Sequence, residues 1–149
     1  MKDARPKAGS PVATAEAEAL RILLVDDNPS ILRLLSEACR ADGCVPATAS
    51  TAAQALGLLA DNQFDLIVTD IKMPGLSGFD LLDSVKNKQS GASVVLITGA
   101  PSVDEAAFAL RHGAYDYLAK PFSVAEVRKL LARFRDDRWL LPRRDARAP

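Results

Sequence analysis

The sequence predicts an α/β fold in which an open parallel sheet carries helices on both faces, and three features point to it. Short unbroken apolar runs, at Arg21 to Val25, Leu66 to Thr69 and Val94 to Ile97, have the length of strands buried on both faces. Segments with apolar residues at helical spacing alternate with them, and several open on Ser or Thr followed three positions later by Glu or Gln. Alternation of this kind is what parallel strands joined by crossover helices produce.

Met1 to about Ala17 is rich in Ala, Pro and Lys without apolar periodicity and reads as a disordered or weakly helical leader, so residues 1–18 are set apart from a folded domain expected over 19–134. Arg21 to Val25 is the first strand and ends in Asp26-Asp27. Asn28-Pro29-Ser30 opens a helix from Ile31 to about Ala41, with Leu34, Leu35, Ala38 and Cys39 on its apolar face and Gly43 as its stop. Cys44 to Ala49 is a second strand, and Pro46, which has no N–H to give to a ladder, assigns it to a sheet edge. Thr51 with Gln54 resembles a capping box and starts a helix carrying Ala55, Leu58 and Leu59.

Leu66 to Thr69 is the third strand, ended by Asp70 and by the turn residues Met73-Pro74-Gly75. A helix from about Ser77 to Lys88 follows, carrying Phe79, Leu81, Leu82 and Val85 and broken at Ser90-Gly91. Val94 to Ile97 ends in Thr98-Gly99-Ala100, after which Ser102 with Glu105 predicts a capping box for a helix to Arg111, stopped by Gly113. Ala114 to Leu118 is the last strand, ending near Lys120-Pro121, and Ser123 with Glu126 caps a last helix through Val127, Leu130, Leu131 and Phe134. Five strands with the Pro46 strand at an edge fit the 2-1-3-4-5 order of the flavodoxin-like doubly wound fold.

A chain of 149 residues suits one domain with one full core, and a formal net charge of zero provides no global basic field for nucleic acid. No apolar stretch reaches the roughly 18 to 20 residues that span a bilayer, and no hydrophobic secretory segment opens the chain, so a cytoplasmic protein without membrane contact is expected. Cys39 and Cys44 are too few for a disulfide framework or a zinc site and read as reduced core residues.

In doubly wound sheets ligands bind outside the carboxyl ends of the strands, and Asp26, Asp27, Asp70, Thr98 and Lys120 all fall there. Three carboxylates in one crevice repel one another unless a cation joins them. A hard divalent ion answers this, and Mg2+ suits a few carboxylates, a carbonyl and waters better than Ca2+ does. Lys120 adds a fixed positive charge and Thr98 a hydroxyl able to contact an anionic oxygen. Such a set suits phosphoryl transfer to a carboxylate, with Asp70 as nucleophile and no histidine base required. Small Gly99 and Ala100 leave the approach to Asp70 open to a donor imidazole or a water.

The runs Val-Asp-Asp, Val-Thr-Asp-Ile-Lys-Met-Pro-Gly-Leu-Ser-Gly, Ile-Thr-Gly and Gly-Ala-Tyr-Asp-Tyr-Leu-Ala-Lys-Pro-Phe together resemble a receiver domain of a two-component response regulator, over roughly Arg21 to Phe134. The resemblance implies that Asp70 accepts phosphate from a phosphohistidine on a sensor histidine kinase or histidine phosphotransfer protein. It implies Mg2+ held directly by Asp27 and Asp70, by Asp26 through water, and by the backbone carbonyl of Lys72. Thr98 and Lys120 would contact the phosphoryl group. The readout it implies is Thr98 moving toward the phosphate and Tyr117 turning inward, which remodels the surface of the fourth helix, fifth strand and fifth helix for a downstream protein or a homodimer. The Ala-Pro-Ser after Thr-Gly looks most like receivers of NtrC-type activators.

Plainer readings compete at single positions: Tyr117 as core, Lys72 as surface charge, and His112 as a helix-end residue favoured by the dipole. Residues 135–149 are expected to be a tail, with Arg135-Asp136-Asp137-Arg138 a solvated helix face and Trp139-Leu140-Leu141 folding back, pairing with a second copy or leading to another domain. Too few residues remain for a helix-turn-helix or ATPase module, so output is expected through protein contacts or from a region outside this chain, with no direct nucleic-acid binding. A phosphate shuttle and a constitutive interaction module are the alternatives. A haloacid-dehalogenase-type phosphatase would need Asp where Lys72 stands, and a dinucleotide site would need Gly-x-Gly-x-x-Gly after the first strand.

Overall fold

A computed structural model describes residues 19–88 and 91–140. The expected leader, most of the C-terminal tail and the Ser90 helix stop lie outside the described residues. Five strands, β1 (Arg21–Val25), β2 (Val45–Ala49), β3 (Leu66–Asp70), β4 (Ser93–Thr98) and β5 (Asp116–Ala119), alternate with five helices, α1 (Pro29–Ala41), α2 (Ala52–Asp61), α3 (Gly78–Lys88), α4 (Val103–Arg111) and α5 (Val124–Asp137), and a 3-10 turn covers Arg138–Leu140. All strand pairs are parallel and the order is β2-β1-β3-β4-β5, as expected from the sequence. Pro46 lies in the edge strand β2, where its missing N–H breaks no inner ladder.

The period of two along each strand divides the core into two layers. Leu23, Val25, Ile67 and Leu96 face α2, α3 and α4, meeting Ala55, Leu59, Leu81, Leu82 and Ala109. Ile22, Leu24, Leu66, Val68 and Ile97 face α1 and α5, meeting Leu35, Ala38, Leu130, Leu131 and Phe134. Each fully buried Leu or Ile contributes about 1.5–3 kcal/mol, so the central strands are the best anchored backbone in the molecule.

The helix starts differ in detail from the sequence reading. Asn28 caps α1 by accepting from Ser30 N, and the helix begins at Pro29 rather than Ile31. Ser123 and Glu126 form a complete capping box on α5. At α2, Thr51 accepts from Gln54 N at 3.1 Å, but Gln54 Oε1 reaches back to Ser50 N at 2.8 Å, so the return bond goes one residue early. At α4, Ser102 accepts from Glu105 N at 3.0 Å, while the Glu105 carboxylate is engaged elsewhere. The last strand begins at Asp116, two residues later than expected.

The charged stretch after Phe134 is not a plain solvated face. The α5 helix continues through this stretch to Asp137. Arg135 donates to Asp42 O at 2.8 Å and Cys44 Sγ at 3.2 Å, Asp137 accepts from the Tyr115 hydroxyl at 2.6 Å, and Arg138 donates to buried Asp65 at 3.2 Å. The other Asp65 oxygen accepts Arg21 N at 2.9 Å, so this carboxylate ties the start of β1 to the end of α5. Helical spacing turns these residues back toward the sheet's amino-terminal edge, where partners wait that are distant in sequence.

Asp65→Ala is expected to cost about 2 kcal/mol in urea unfolding, because it leaves Arg138 and the Arg21 N–H without this partner in a largely buried setting. The same change at exposed Asp136 should fall within about 0.5 kcal/mol of wild type.

Candidate functional site

A parallel sheet delivers all its carboxyl ends to one edge, and four elements contribute there. Asp70 is the last residue of β3 and Thr98 the last of β4. Asp26 follows β1, its N–H bonded to Ala49 O at 3.2 Å, and Lys120 follows β5, its N–H bonded to Thr98 O at 2.7 Å. Asp26, Asp27 and Asp70 each present a carboxylate oxygen within 4.8 Å of the others. Asp26 is fully buried, Asp70 is 6% exposed and Asp27 is exposed, so the cluster opens to solvent on one side.

Lys120 Nζ lies 3.1 Å from Asp26 Oδ2 and 3.4 Å from Asp70 Oδ2, pairing with two of the three acids. Asp26 Oδ1 accepts Asn28 N at 2.9 Å, but Oδ2, for all its proximity to Lys120, has no aligned hydrogen-bond donor among the described residues. Asp70 Oδ1 accepts from the Lys72 N–H at 3.4 Å, a long contact. Burial, and after it the charge of Asp26, pushes the Asp70 carboxyl above its usual range, against the pull of Lys120. Desolvation alone would lower Lys120, but its contacts with Asp26 and Asp70 outweigh it and hold the ammonium above its ordinary value.

Three acids against one ammonium leave negative charge in excess, and a buried carboxylate oxygen is left without a donor. An all-oxygen donor set with these properties fits a hard divalent cation of the Mg2+ type. Asp26, Asp27 and Asp70 are the side chains that could hold it.

Thr98 is buried, its hydroxyl accepting from Ala100 N at 3.0 Å, and Gly99 and Ala100 are exposed beside it. A Cβ built on Gly99 would meet nothing within 4 Å, so the approach over this loop is open. Lys72 is exposed, and its backbone rather than its side chain neighbours Asp70. Tyr117 does not join the acidic cluster: its hydroxyl bonds Glu105 and the Ser102 N–H on α4. His112 caps the end of α4, its Nδ1 2.9 Å from Phe108 O and its ring against Phe108.

Gly78, one of the glycines in the motif after Asp70, carries a role that the sequence reading did not assign. A Cβ there would lie 2.6 Å from Asp70 O and 2.9 Å from Ile71 Cα, so α3 can pack against the backbone of Asp70 only with glycine at its first position. Its N–H also bonds Ile71 O at 2.8 Å. The signal was a second glycine at a helix start where turn chemistry had already been supplied by Gly75.

Comparisons with known proteins bear on the family and the fold. A family model described as response regulator receiver domain matches residues 22–132. The regulatory protein AtoC of Escherichia coli K12 is 36% identical over 113 residues, covering 76% of this chain and 24% of AtoC. The solved beryllofluoride-activated NtrC4 receiver domain dimer superposes with a TM-score of 0.74 at 36% identity, covering 79% of this chain and 98% of that one. A CheY-like receiver domain protein from Methanospirillum hungatei JF-1 superposes with a TM-score of 0.76 at 28% identity, covering 83% and 98%. This chain spans about a quarter to a half of the length of the curated relatives it matches.

Two outcomes follow from the geometry. Gly78→Ala is expected to cost about 1–3 kcal/mol in urea unfolding, since the clash is with backbone rather than with a flexible side chain. The raised Asp70 carboxyl means that the native state holds its proton more tightly than the unfolded chain does. Stability from this group is therefore full below the ordinary value of 3.8 and is lost as pH rises through the raised native value. Asp70→Asn should accordingly melt at a higher temperature than wild type at pH 7 without metal, and the gap should close as melts are repeated at falling pH.

Proposed function

The chain belongs to the response regulator receiver domain family of two-component systems, and from that premise we propose that it is a phosphorylation-controlled switch with Asp70 as the phosphoacceptor. The observation that carries this reading is the Asp70 carboxylate at the tip of β3, with Lys120 Nζ at 3.4 Å and the acids Asp26 and Asp27 alongside. An Asp70 oxygen attacks the phosphorus of a phosphohistidine. The new P–O bond forms as the P–N bond to the imidazole breaks, and the imidazole leaves with the electron pair and takes a proton from solvent.

Transferring phosphoryl groups need alignment and neutralisation of their oxygens more than covalent help. Lys120 supplies a fixed ammonium, and the Thr98 hydroxyl stands at the end of the neighbouring strand to contact a phosphoryl oxygen. Asp26, Asp27 and Asp70, with the Lys72 carbonyl, would hold Mg2+, which when bound supplies further positive charge to the phosphoryl oxygens. The chain on this reading catalyses its own phosphorylation and the hydrolysis that resets it, as a signalling domain rather than an enzyme acting on a separate substrate.

The donor is a sensor histidine kinase or histidine phosphotransfer protein in the cytoplasm, and no helix among the described residues is long and apolar enough to cross a membrane. The receiving surface is α4, β5 and α5, where Val103 and Leu110 are 86% and 52% exposed, and where Thr98 and Tyr117 relay the state of Asp70. Its occupant is a downstream protein or a second copy of the chain, the latter favoured by the NtrC4 receiver solved as an activated dimer.

Incubation with acetyl phosphate and Mg2+, followed by intact mass and light scattering, tests this. Wild type should gain one phosphoryl group, Asp70→Asn none, and chelation of Mg2+ should abolish the gain. Lys120→Ala should slow it by about 100-fold, the scale of losing one charge-stabilising donor. A doubled mass on modification identifies self-association as output, whereas rapid phosphate loss with unchanged mass and unchanged partner binding identifies a phosphate shuttle. Equal modification of wild type and Asp70→Asn, or of neither, refutes Asp70 as acceptor.

A further inference from the structure

The pattern Ser-x-x-Glu opens two helices, at Ser102/Glu105 and Ser123/Glu126, and the two pairs behave differently. On α5 the box is closed: Ser123 Oγ accepts from Glu126 N at 3.1 Å, and Glu126 Oε1 accepts from Ser123 N at 2.9 Å. On α4 only the first half is made, from Glu105 N to Ser102 Oγ at 3.0 Å. Tyr117 occupies the other half. Its hydroxyl donates to Glu105 Oε1 at 2.5 Å and accepts from Ser102 N at 3.3 Å. A phenol from β5 thus stands between two groups that the sequence would pair with each other.

We propose that Glu105 is the positioning residue of the switch, holding the Tyr117 hydroxyl at the start of α4 and releasing it by turning to the Ser102 N–H. This assignment rests on the phosphoacceptor reading of Asp70 and deepens it. It gives the start of α4 two satisfied states: one with the phenol inside the box and one closed on itself, in the arrangement that Ser123 and Glu126 already adopt. Leaving the first state strands neither the carboxylate nor the N–H, because each becomes the partner of the other. In the sheet Tyr117 pairs with Leu96, two residues before Thr98, so this side chain links the strand next to β4 to the cap of α4. Burial, and then the bond to Glu105, pushes the Tyr117 hydroxyl up from its ordinary value, which keeps it protonated and able to donate.

The chain has two tyrosines, so fluorine NMR of the full chain grown with fluorotyrosine gives two resonances, assigned with Tyr115→Phe. Without Mg2+ or beryllofluoride, Glu105→Ala should displace the Tyr117 resonance toward its position in beryllofluoride-treated wild type. The population ratio is expected to change by about tenfold, the scale of one hydrogen bond to a charged group. Glu105→Gln, which still accepts the phenol proton, should restore most of the wild-type position. Ser102→Ala loosens the same cap but leaves both Tyr117 contacts, and should leave the resonance in place. A Tyr117 resonance unmoved by Glu105→Ala, or moved as far by Ser102→Ala, overturns the assignment, the second result showing that any fraying of α4 suffices. If wild-type Tyr117 ignores beryllofluoride, the phosphoacceptor reading is what fails. Glu105 is then still decided in the untreated chain, by whether its removal displaces the resonance at all.

Discussion

Repulsion among three carboxylates gathered on one sheet edge is the constraint around which the rest of this molecule is arranged. Asp26, Asp27 and Asp70 stand within 4.8 Å of one another, and a cluster of that kind would disperse if its backbone were free to move. It does not disperse because Asp26 follows β1 and Asp70 ends β3, two adjacent inner strands whose residues, Arg21 apart, are buried on both faces by separate helix layers. Lys120 offsets part of the charge, and it arrives from β5, two strands away from β3, through a loop whose N–H is pinned to Thr98 O at 2.7 Å. The core thus supplies the free energy that holds an unfavourable charge set in place, and the excess negative charge is what fits the cluster to a cation.

Strand identity, strand order and the acidic cluster were legible in the sequence because each rests on local chemistry. Continuous apolar runs report strands buried on both faces, Pro46 reports an edge, and parallel topology then gathers the strand-end residues. What the sequence did not disclose depends on contacts between segments far apart in the chain. Arg138 and Asp65 are 73 residues apart, and nothing near Arg138 distinguishes a buried partner from a solvated helix face. Gly78 reads as an unremarked residue at a helix start until the Asp70 backbone is seen 2.6 Å from where its Cβ would be. The Ser102/Glu105 box is correctly coded by local spacing, and is opened by a tyrosine 12 residues further on.

That last case separates α4 from α5 in a way that bears on function. Helix α5 buries Val127, Leu130, Leu131 and Phe134, closes its capping box, and is clamped at its far end through Arg135 and Arg138. Helix α4 buries only Ala109, leaves Val103, Phe108 and Leu110 exposed, and has its cap shared with Tyr117. Burial sets the cost of displacing a helix, so α4 is the less costly to move. Its first turn is also the one bonded to Tyr117, on the strand next to β4. A change of charge at Asp70 therefore meets a rigid sheet on one side and a lightly held helix on the other. On the proposed function, a rearrangement started at Asp70 meets least resistance at α4, and the exposed apolar residues of that helix would be the surface through which a partner senses it.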